Sequence, residues 1–85
     1  MPALHVSDVV LAVLLEISRT HQPAREDVAP GDRLIDDLGL ESLDVALAVA
    51  ELEGKLGVDP FATDATIGSV RTVGDFIAVY ERAKR

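Results

Sequence analysis

Ser42 is the residue whose type and surroundings best suit chemistry, because it stands between Glu41 and Leu43 where an apolar, helix-periodic segment begins. A serine nucleophile needs a general base within hydrogen-bond reach, and histidine is the usual one. The chain has two histidines, His5 and His21, and neither forms a motif with the serine. The sequence therefore predicts surface histidines and no self-contained catalytic apparatus.

The other chemistry-bearing residues do not form a recognisable metal or phosphate site. Two isolated histidines lack zinc-ligand spacing, and the acids between residues 26 and 44 do not follow the alternating pattern of a calcium loop. There is no glycine-rich phosphate loop. The chain also has no cysteine, which excludes disulfides, zinc-thiolate sites and a cysteine nucleophile.

Negative charge is concentrated in one part of the chain. The formal net charge is −7, and residues 26–44 hold seven acids against Arg33 alone. Such a region repels the phosphates of nucleic acids and attracts basic patches on proteins. We therefore expect protein partners and no nucleic acid. The alternative is a solvated loop that is acidic only for solubility.

Length and hydropathy predict a small protein away from membranes. The longest strongly apolar run covers residues 9–15, far short of the ~20 residues that a membrane span needs. The N-terminus lacks the basic flank of a signal peptide. With 85 residues, the chain has room for one domain and one modest core. We expect a cytoplasmic monomer.

Two segments carry the periodicity of amphipathic helices at either end of the chain. The first helix is expected over residues 7–20, capped by Ser7, with a core stripe formed by Val10, Val13, Leu14 and Ile17. The last helix is expected to begin after a capping box formed by Thr72 and Asp75. Its stripe consists of Val73, Phe76, Ile77 and Tyr80, and it ends among Arg82, Lys84 and Arg85.

A second helix is expected to begin at Ser42, with the serine hydroxyl as its cap, and to stop at Gly57. Its inward residues are expected to be Val45, Ala48, Val49, Leu52 and Leu56. That leaves an outward strip rimmed by acids, a pattern typical of a docking surface: Leu43, Leu47 and Ala50, with Glu41, Asp44, Glu51 and Glu53 beside them. The alternative is that Leu43 and Leu47 are covered by the preceding loop.

The segment over residues 21–40 contains prolines and glycines and predicts a long loop. We expect it to be ordered, because apolar anchors recur along it: Val28, Leu34, Ile35, Leu38 and Leu40. A short helical turn is expected within residues 62–70, after Pro60 breaks the chain. No strand-like alternation is present. The expected fold class is all-α, a four-helix bundle of three main helices and one short helix with a long first loop.

The run from Leu34 to Leu43 resembles the signature of acyl and peptidyl carrier proteins. Asp37-Leu38-Gly39 and Ser42-Leu43 fit that signature in register. Leu34 stands where the family often has phenylalanine, and Glu41 stands where aspartate usually precedes the serine. The resemblance extends over about residues 7–83 and implies a single carrier domain over residues 1–85 with the four-helix bundle fold of that family.

The resemblance implies that 4′-phosphopantetheine is attached covalently to Ser42 by a phosphopantetheinyl transferase, which supplies the base and the metal ion. The arm's thiol would then hold acyl or aminoacyl groups as thioesters, so the chain would be a non-catalytic carrier. Implied partners are an acyl- or aminoacyl-loading enzyme and downstream synthases, transferases or tailoring enzymes. The second helix would be their recognition element, through Glu41, Leu43, Asp44, Leu47, Ala50 and Glu51.

The surface of that second helix is less acidic than in many fatty-acid carriers of the family. We therefore expect a freestanding carrier in polyketide, nonribosomal peptide or related specialised biosynthesis, and its Met1-Pro2 start and basic end favour a complete polypeptide. Two alternatives remain open: a fatty-acid acyl carrier protein, and an unmodified helical adaptor in which Ser42 only caps a helix.

Overall fold

The described part of the chain folds into three helices and two single turns of 3-10 helix. A computed structural model describes residues 5–62 and 66–84 of the chain. The helices are α1 (Val6–Ser18), α2 (Ser42–Leu56) and α3 (Val73–Ala83), and the turns are Pro60–Ala62 and Ile67–Ser69. The expected all-α class is confirmed. The short helical turn expected within residues 62–70 corresponds to the 3-10 turn Ile67–Ser69, and residues 63–65 of that stretch lie outside the described residues. No helix within the described ranges is long and apolar enough to cross a membrane.

Helix α1 packs its predicted stripe into the core: Val10, Val13, Leu14 and Ile17 are all buried. The prediction that Ser7 caps this helix is wrong. The N-cap is His5, whose carbonyl oxygen accepts hydrogen bonds from the backbone N–H groups of Asp8 at 3.0 Å and Val9 at 3.2 Å. The helix therefore begins slightly earlier than expected, at Val6, because the backbone of His5 starts the hydrogen-bond ladder. It also ends slightly earlier, at Ser18.

Helix α2 is buried along only a narrow part of its surface. Ala48 and Leu52 are fully buried, and Val45, Val49 and Leu56 pack against the core while remaining partly exposed. The helix stops at Gly57, whose φ of +74° is the left-handed conformation that glycine adopts without strain. Its predicted inward face and its predicted end are both confirmed.

Helix α3 is more completely buried, and its predicted capping box is present. The Thr72 hydroxyl accepts a hydrogen bond from the Asp75 N–H at 3.1 Å, and the Asp75 carboxylate accepts one from the Thr72 N–H at 3.1 Å. These bonds satisfy backbone donors that have no partner within the helix. The buried residues are the predicted stripe and one more: Val73, Phe76, Ile77, Val79 and Tyr80. Arg85, predicted near its end, lies outside the described residues.

The long first loop is ordered and joined to the start of α3. The Leu34 N–H donates to the Arg71 carbonyl at 3.0 Å, and the Val73 N–H donates to the Asp32 carbonyl at 2.9 Å. Three of the predicted anchors are buried, namely Leu34, Leu38 and Leu40, and Val28 packs against the core. The prediction for Ile35 is wrong, since its side chain is 57% exposed and points away from the core.

Three aromatic rings form one cluster at the boundary between the core and the first 3-10 turn. The ring centroids of Phe61 and Phe76 are 5.8 Å apart, and that of Tyr80 lies 6.1 Å and 5.2 Å from them. Tyr80 is fully buried, and its hydroxyl has no hydrogen-bond partner in the part of the chain that the structure describes. Burial raises the pKa of this hydroxyl well above its ordinary value, and the charges of Asp59 and Glu53 add to the effect.

Candidate functional site

The site is built around the start of α2. Ser42 is the first helical residue and is exposed, while Glu41 is the N-cap. The prediction that the Ser42 hydroxyl caps the helix is therefore wrong. Glu41 and Asp44 form a capping box instead, in which Oδ2 of Asp44 accepts a hydrogen bond from the Glu41 N–H at 2.8 Å. Within the described residues the Ser42 hydroxyl makes no hydrogen bond, so its oxygen is available to an outside reactant.

The segment before Ser42 is held by contacts that explain its residue types. The Asp37 carboxylate accepts a hydrogen bond from the Arg33 N–H at 2.7 Å and closes a turn. Leu38 is completely buried and anchors the segment to the core. Gly39 has a φ of +70°, which a residue with a Cβ rarely adopts, and such a Cβ would lie 3.4 Å from the Gln22 amide nitrogen. Asp37-Leu38-Gly39 thus turns the chain into α2.

His21 is a member of the site that sequence reasoning did not identify. It was expected on the surface, where it does lie, but its Nε2 is 2.7 Å from Oδ2 of Asp44. The backbone N–H of Glu41 and then the His21 side chain hold the pKa of Asp44 below its ordinary value. No local pattern could have shown this contact, because the two residues are 23 positions apart.

The outward face of α2 carries the predicted apolar strip. Leu43 is 69% exposed and Leu47 is 50% exposed, and Ala50 is exposed beside them. The alternative in which the preceding loop covers Leu43 and Leu47 is therefore wrong. Glu41 and Glu51 are exposed at its rim. Asp44 differs from the expectation, because its side chain is only 13% exposed and is engaged by its cap and His21 contacts.

An open groove of about 870 Å³ begins at Ser42 and runs between α2 and the start of α3. Its walls are mainly apolar, with contributions from Val45, Ala46 and Val49 of α2 and from the two 3-10 turns and Val70. Polar groups line it where the long loop meets α3, at Arg33, Asp36, Arg71, Thr72 and Asp75. This volume lies within the range of small-molecule sites. The sequence did not indicate the groove, because its walls come from separate elements.

Neither histidine offers Ser42 the arrangement of a catalytic dyad. His21 is bonded to Asp44, and His5 lies at the start of α1. No group of three or more metal-ligating side chains occurs among residues 5–62 and 66–84. The arrangement presents a free hydroxyl, a helix N-terminus that favours an anion and a groove beside them. It can therefore accept a group that another protein transfers.

Comparisons with known proteins agree with this arrangement. The family described as "Phosphopantetheine attachment site" matches residues 8–78. The acyl carrier protein MbtL of Mycolicibacterium paratuberculosis is 35% identical over 82 residues, covering 91% of this chain and 81% of the relative. The acyl carrier protein of Sinorhizobium fredii is 39% identical over 59 residues, covering 69% and 73%. That of Thermotoga maritima is 40% identical over 50 residues, covering 59% of each chain.

Both kinds of similarity lead to the same assignment. The matched family covers most of the chain, from Asp8 in α1 through all of α2 to Ala78 in α3. Members carry a covalently attached 4′-phosphopantetheine, and they work with a phosphopantetheinyl transferase and biosynthetic enzymes without catalysing a reaction themselves. The chain therefore belongs to the acyl carrier protein family and is a non-catalytic carrier with a 4′-phosphopantetheine arm.

Proposed function

We propose that Ser42 is the residue that bears the phosphopantetheine arm and that the chain carries acyl or aminoacyl intermediates as thioesters. The observation that carries this proposal is the exposed hydroxyl without a hydrogen bond at the first position of α2, which only Leu40 and Glu41 separate from the Asp37-Leu38-Gly39 turn. A structural cap would have its oxygen occupied by a backbone N–H, as the hydroxyl of Thr72 does.

The residues around Ser42 fit the group chemically. The N-terminus of α2 presents backbone N–H groups and the positive end of the helix dipole to the phosphate that would be attached there. When bound, the arm supplies a terminal thiol, which this cysteine-free chain otherwise lacks. Glu41 lies beside the phosphate position and repels it only weakly, because exposed charges are screened by salt.

The groove next to Ser42 is the proposed resting place of the arm and of part of its cargo. It begins at the serine, its walls are mostly apolar, and its volume is about 870 Å³. An acyl chain lying there would remove apolar surface from water on both sides, and that burial contributes roughly 25 cal/mol per Å². Phe61 and Ile67 form the wall opposite α2.

Partner recognition is proposed to use the exposed face of α2. Leu43, Leu47 and Ala50 supply apolar contact, while Glu41 and Glu51 supply charge for basic residues on partners. The partners are the transferase, the loading enzyme and the downstream synthases, transferases or tailoring enzymes. Because these partners must exchange, each interface is expected to be small and transient, with a monomeric carrier.

The mixed apolar and acidic surface of α2 supports a place in polyketide, nonribosomal peptide or related specialised biosynthesis. The alternative is fatty-acid synthesis, and it keeps support because similar relatives are named simply as acyl carrier proteins. We propose one carrier domain over residues 1–85 that acts in the cytoplasm. Loading assays with enzymes from each type of pathway would separate the two.

The direct test is an intact-mass measurement after incubation with coenzyme A and a broad-specificity phosphopantetheinyl transferase. The wild-type chain is expected to gain one phosphopantetheine, and Ser42→Ala is expected to gain none. Ser69→Ala is a matched control, since Ser69 is another exposed serine, and it should be modified normally. An unmodified wild type would favour the helical adaptor, and a gain that persists in Ser42→Ala would place the arm elsewhere.

A further inference from the structure

The side chain of His21, which lies outside the family signature, contacts the first turn of α2. His21 lies three residues after α1, and its Nε2 is 2.7 Å from Oδ2 of Asp44. The same oxygen accepts the hydrogen bond from the Glu41 N–H at 2.8 Å. A single carboxylate oxygen therefore connects the end of α1 to the residue that precedes Ser42.

The chemistry of the pair makes the direction of the contact clear. A carboxylate can only accept hydrogen bonds, so Nε2 of His21 carries the hydrogen whether the ring is neutral or protonated. The contact thus persists in both charge states, and it is stronger when the ring is charged. The Asp44 side chain is mostly buried by this arrangement, whereas His21 remains partly exposed.

Gln22 and Arg25, which follow His21 in the chain, hydrogen-bond to the other end of the turn that leads into Ser42. The Gln22 side-chain amide donates to the Asp37 carbonyl at 3.1 Å, and the Arg25 guanidinium donates to the same carbonyl at 2.9 Å. The chain after α1 therefore holds both ends of the turn that leads into Ser42. Of these contacts, only that of His21 reaches α2 itself.

We propose that His21 is a positioning residue for arm attachment, which acts through Asp44 to fix the backbone at Glu41 and Ser42. This inference rests on the proposed function of Ser42. The serine hydroxyl makes no hydrogen bond of its own within the described residues, so its direction depends on the backbone that carries it. That backbone is held by the Glu41–Asp44 hydrogen bond, which His21 supports.

The transfer reaction makes such positioning matter. The Ser42 oxygen forms a new bond to phosphorus while the pyrophosphate bond of coenzyme A breaks and its nucleotide half leaves with that electron pair. The serine proton passes to a base of the transferase. Attack at phosphorus requires the incoming and leaving oxygens to be in line, and a small displacement of the attacking oxygen slows such steps strongly.

The test compares the steady-state kinetics of arm transfer for four variants, with the carrier as the varied substrate. His21→Ala removes the contact, and His21→Gln restores a neutral donor. Asp44→Asn keeps an oxygen for the Glu41 N–H but removes the charge that faces His21. His5→Ala is the matched control, because His5 is an exposed histidine whose side chain caps nothing.

We expect His21→Ala to lower kcat about threefold to tenfold with KM changed less than about twofold, an effect of the size found for coupled side chains. His21→Gln should recover most of that loss, and His5→Ala should match the wild type. In the Asp44→Asn background, His21→Ala should add little, because the contact is already weakened. The Glu41 amide should exchange its hydrogen faster in His21→Ala, as measured by NMR.

Two results would overturn the proposal. A rise in KM with kcat unchanged would show that His21 and Asp44 form part of the docking surface. A lower melting temperature with both kinetic constants unchanged would show a purely structural contact. Failure of the proposed function looks different, because the wild-type chain would then not be modified at Ser42 in peptide mapping.

Discussion

Helices α2 and α3 both begin with a capping box, but the two boxes differ in their further contacts. Each has an aspartate at its third position that accepts the N–H of the residue before the helix, Asp44 in α2 and Asp75 in α3. In α3 the threonine at the cap returns the bond, so the start of the helix is self-contained. In α2 the Glu41 side chain likewise faces the Asp44 backbone to complete a capping box, but the Asp44 carboxylate takes a further contact from His21, and Ser42 is left free.

The two helices also differ in how many of their residues are buried. Five of the eleven residues of α3 are buried, but only two of the fifteen residues of α2 are. Burial on several sides fixes a helix and leaves it little surface for partners. The difference indicates that α3 contributes more to the core, while α2 is held by a few buried residues and leaves exposed the face that we propose partners contact.

The largest effect should come from truncating a buried side chain of α3. Phe76→Ala is expected to lower the free energy of unfolding by about 3–5 kcal/mol, because it removes a buried ring from the aromatic cluster. Leu47→Glu should change it by less than about 0.5 kcal/mol while impairing loading by the natural partner. Urea unfolding followed by circular dichroism measures both. Equal destabilisation would show that the exposed face of α2 is part of the core.

The next effect separates the two hydroxyls at the helix starts. Thr72→Ala should cost about 1 kcal/mol of stability, since its oxygen accepts the Asp75 N–H. Ser42→Ala should leave stability within about 0.5 kcal/mol of the wild type, because its hydroxyl has no internal bond among the described residues. Thermal unfolding of the unmodified protein gives both values. A loss as large for Ser42→Ala as for Thr72→Ala would assign the serine a capping role.

The smallest effect concerns the two aspartates. The Glu41 N–H and His21 lower the pKa of Asp44, and the backbone N–H groups of Thr72 and Arg71 lower that of Asp75, from the ordinary 3.8. Both groups therefore add stability above pH 3.8, which is lost as the pH falls through their folded pKa. His21→Ala should raise the pKa of Asp44 and leave that of Asp75 unchanged. Carboxyl NMR titration measures both pKa values. An equal rise of both in His21→Ala would contradict this prediction.

Much of this architecture could be predicted from the sequence, because its signals are local. The stripe of α3 and the Thr72 capping box depend on spacings of three and four residues, and so does the division of α2 into inward and outward faces. The signature from Asp37 to Leu43 is likewise contiguous. The prediction that Ser42 caps α2 is wrong because serine is a common capping residue, whereas here the Glu41–Asp44 capping box starts the helix.

The remaining features depend on contacts between distant parts of the chain. His21 meets Asp44 across 23 positions, and the long loop joins Thr72 through an isolated antiparallel bridge at Arg33. The exposure of Ile35 could not be predicted either, because an apolar residue in an irregular loop has no periodicity to show which way its side chain points. The walls of the groove come from four segments of the chain, and no sequence pattern within any one segment indicates a groove.

The aromatic cluster has a practical consequence for following the loaded and unloaded protein. The chain has one tyrosine and no tryptophan, so its intrinsic fluorescence arises from the single ring of Tyr80. Phe61 contacts that ring at a centroid distance of 6.1 Å and also lines the groove that begins at Ser42. Cargo that displaces Phe61 changes the surroundings of the one emitting group. If cargo lies in the groove as proposed, we expect the fluorescence of Tyr80 to report occupancy without any attached dye.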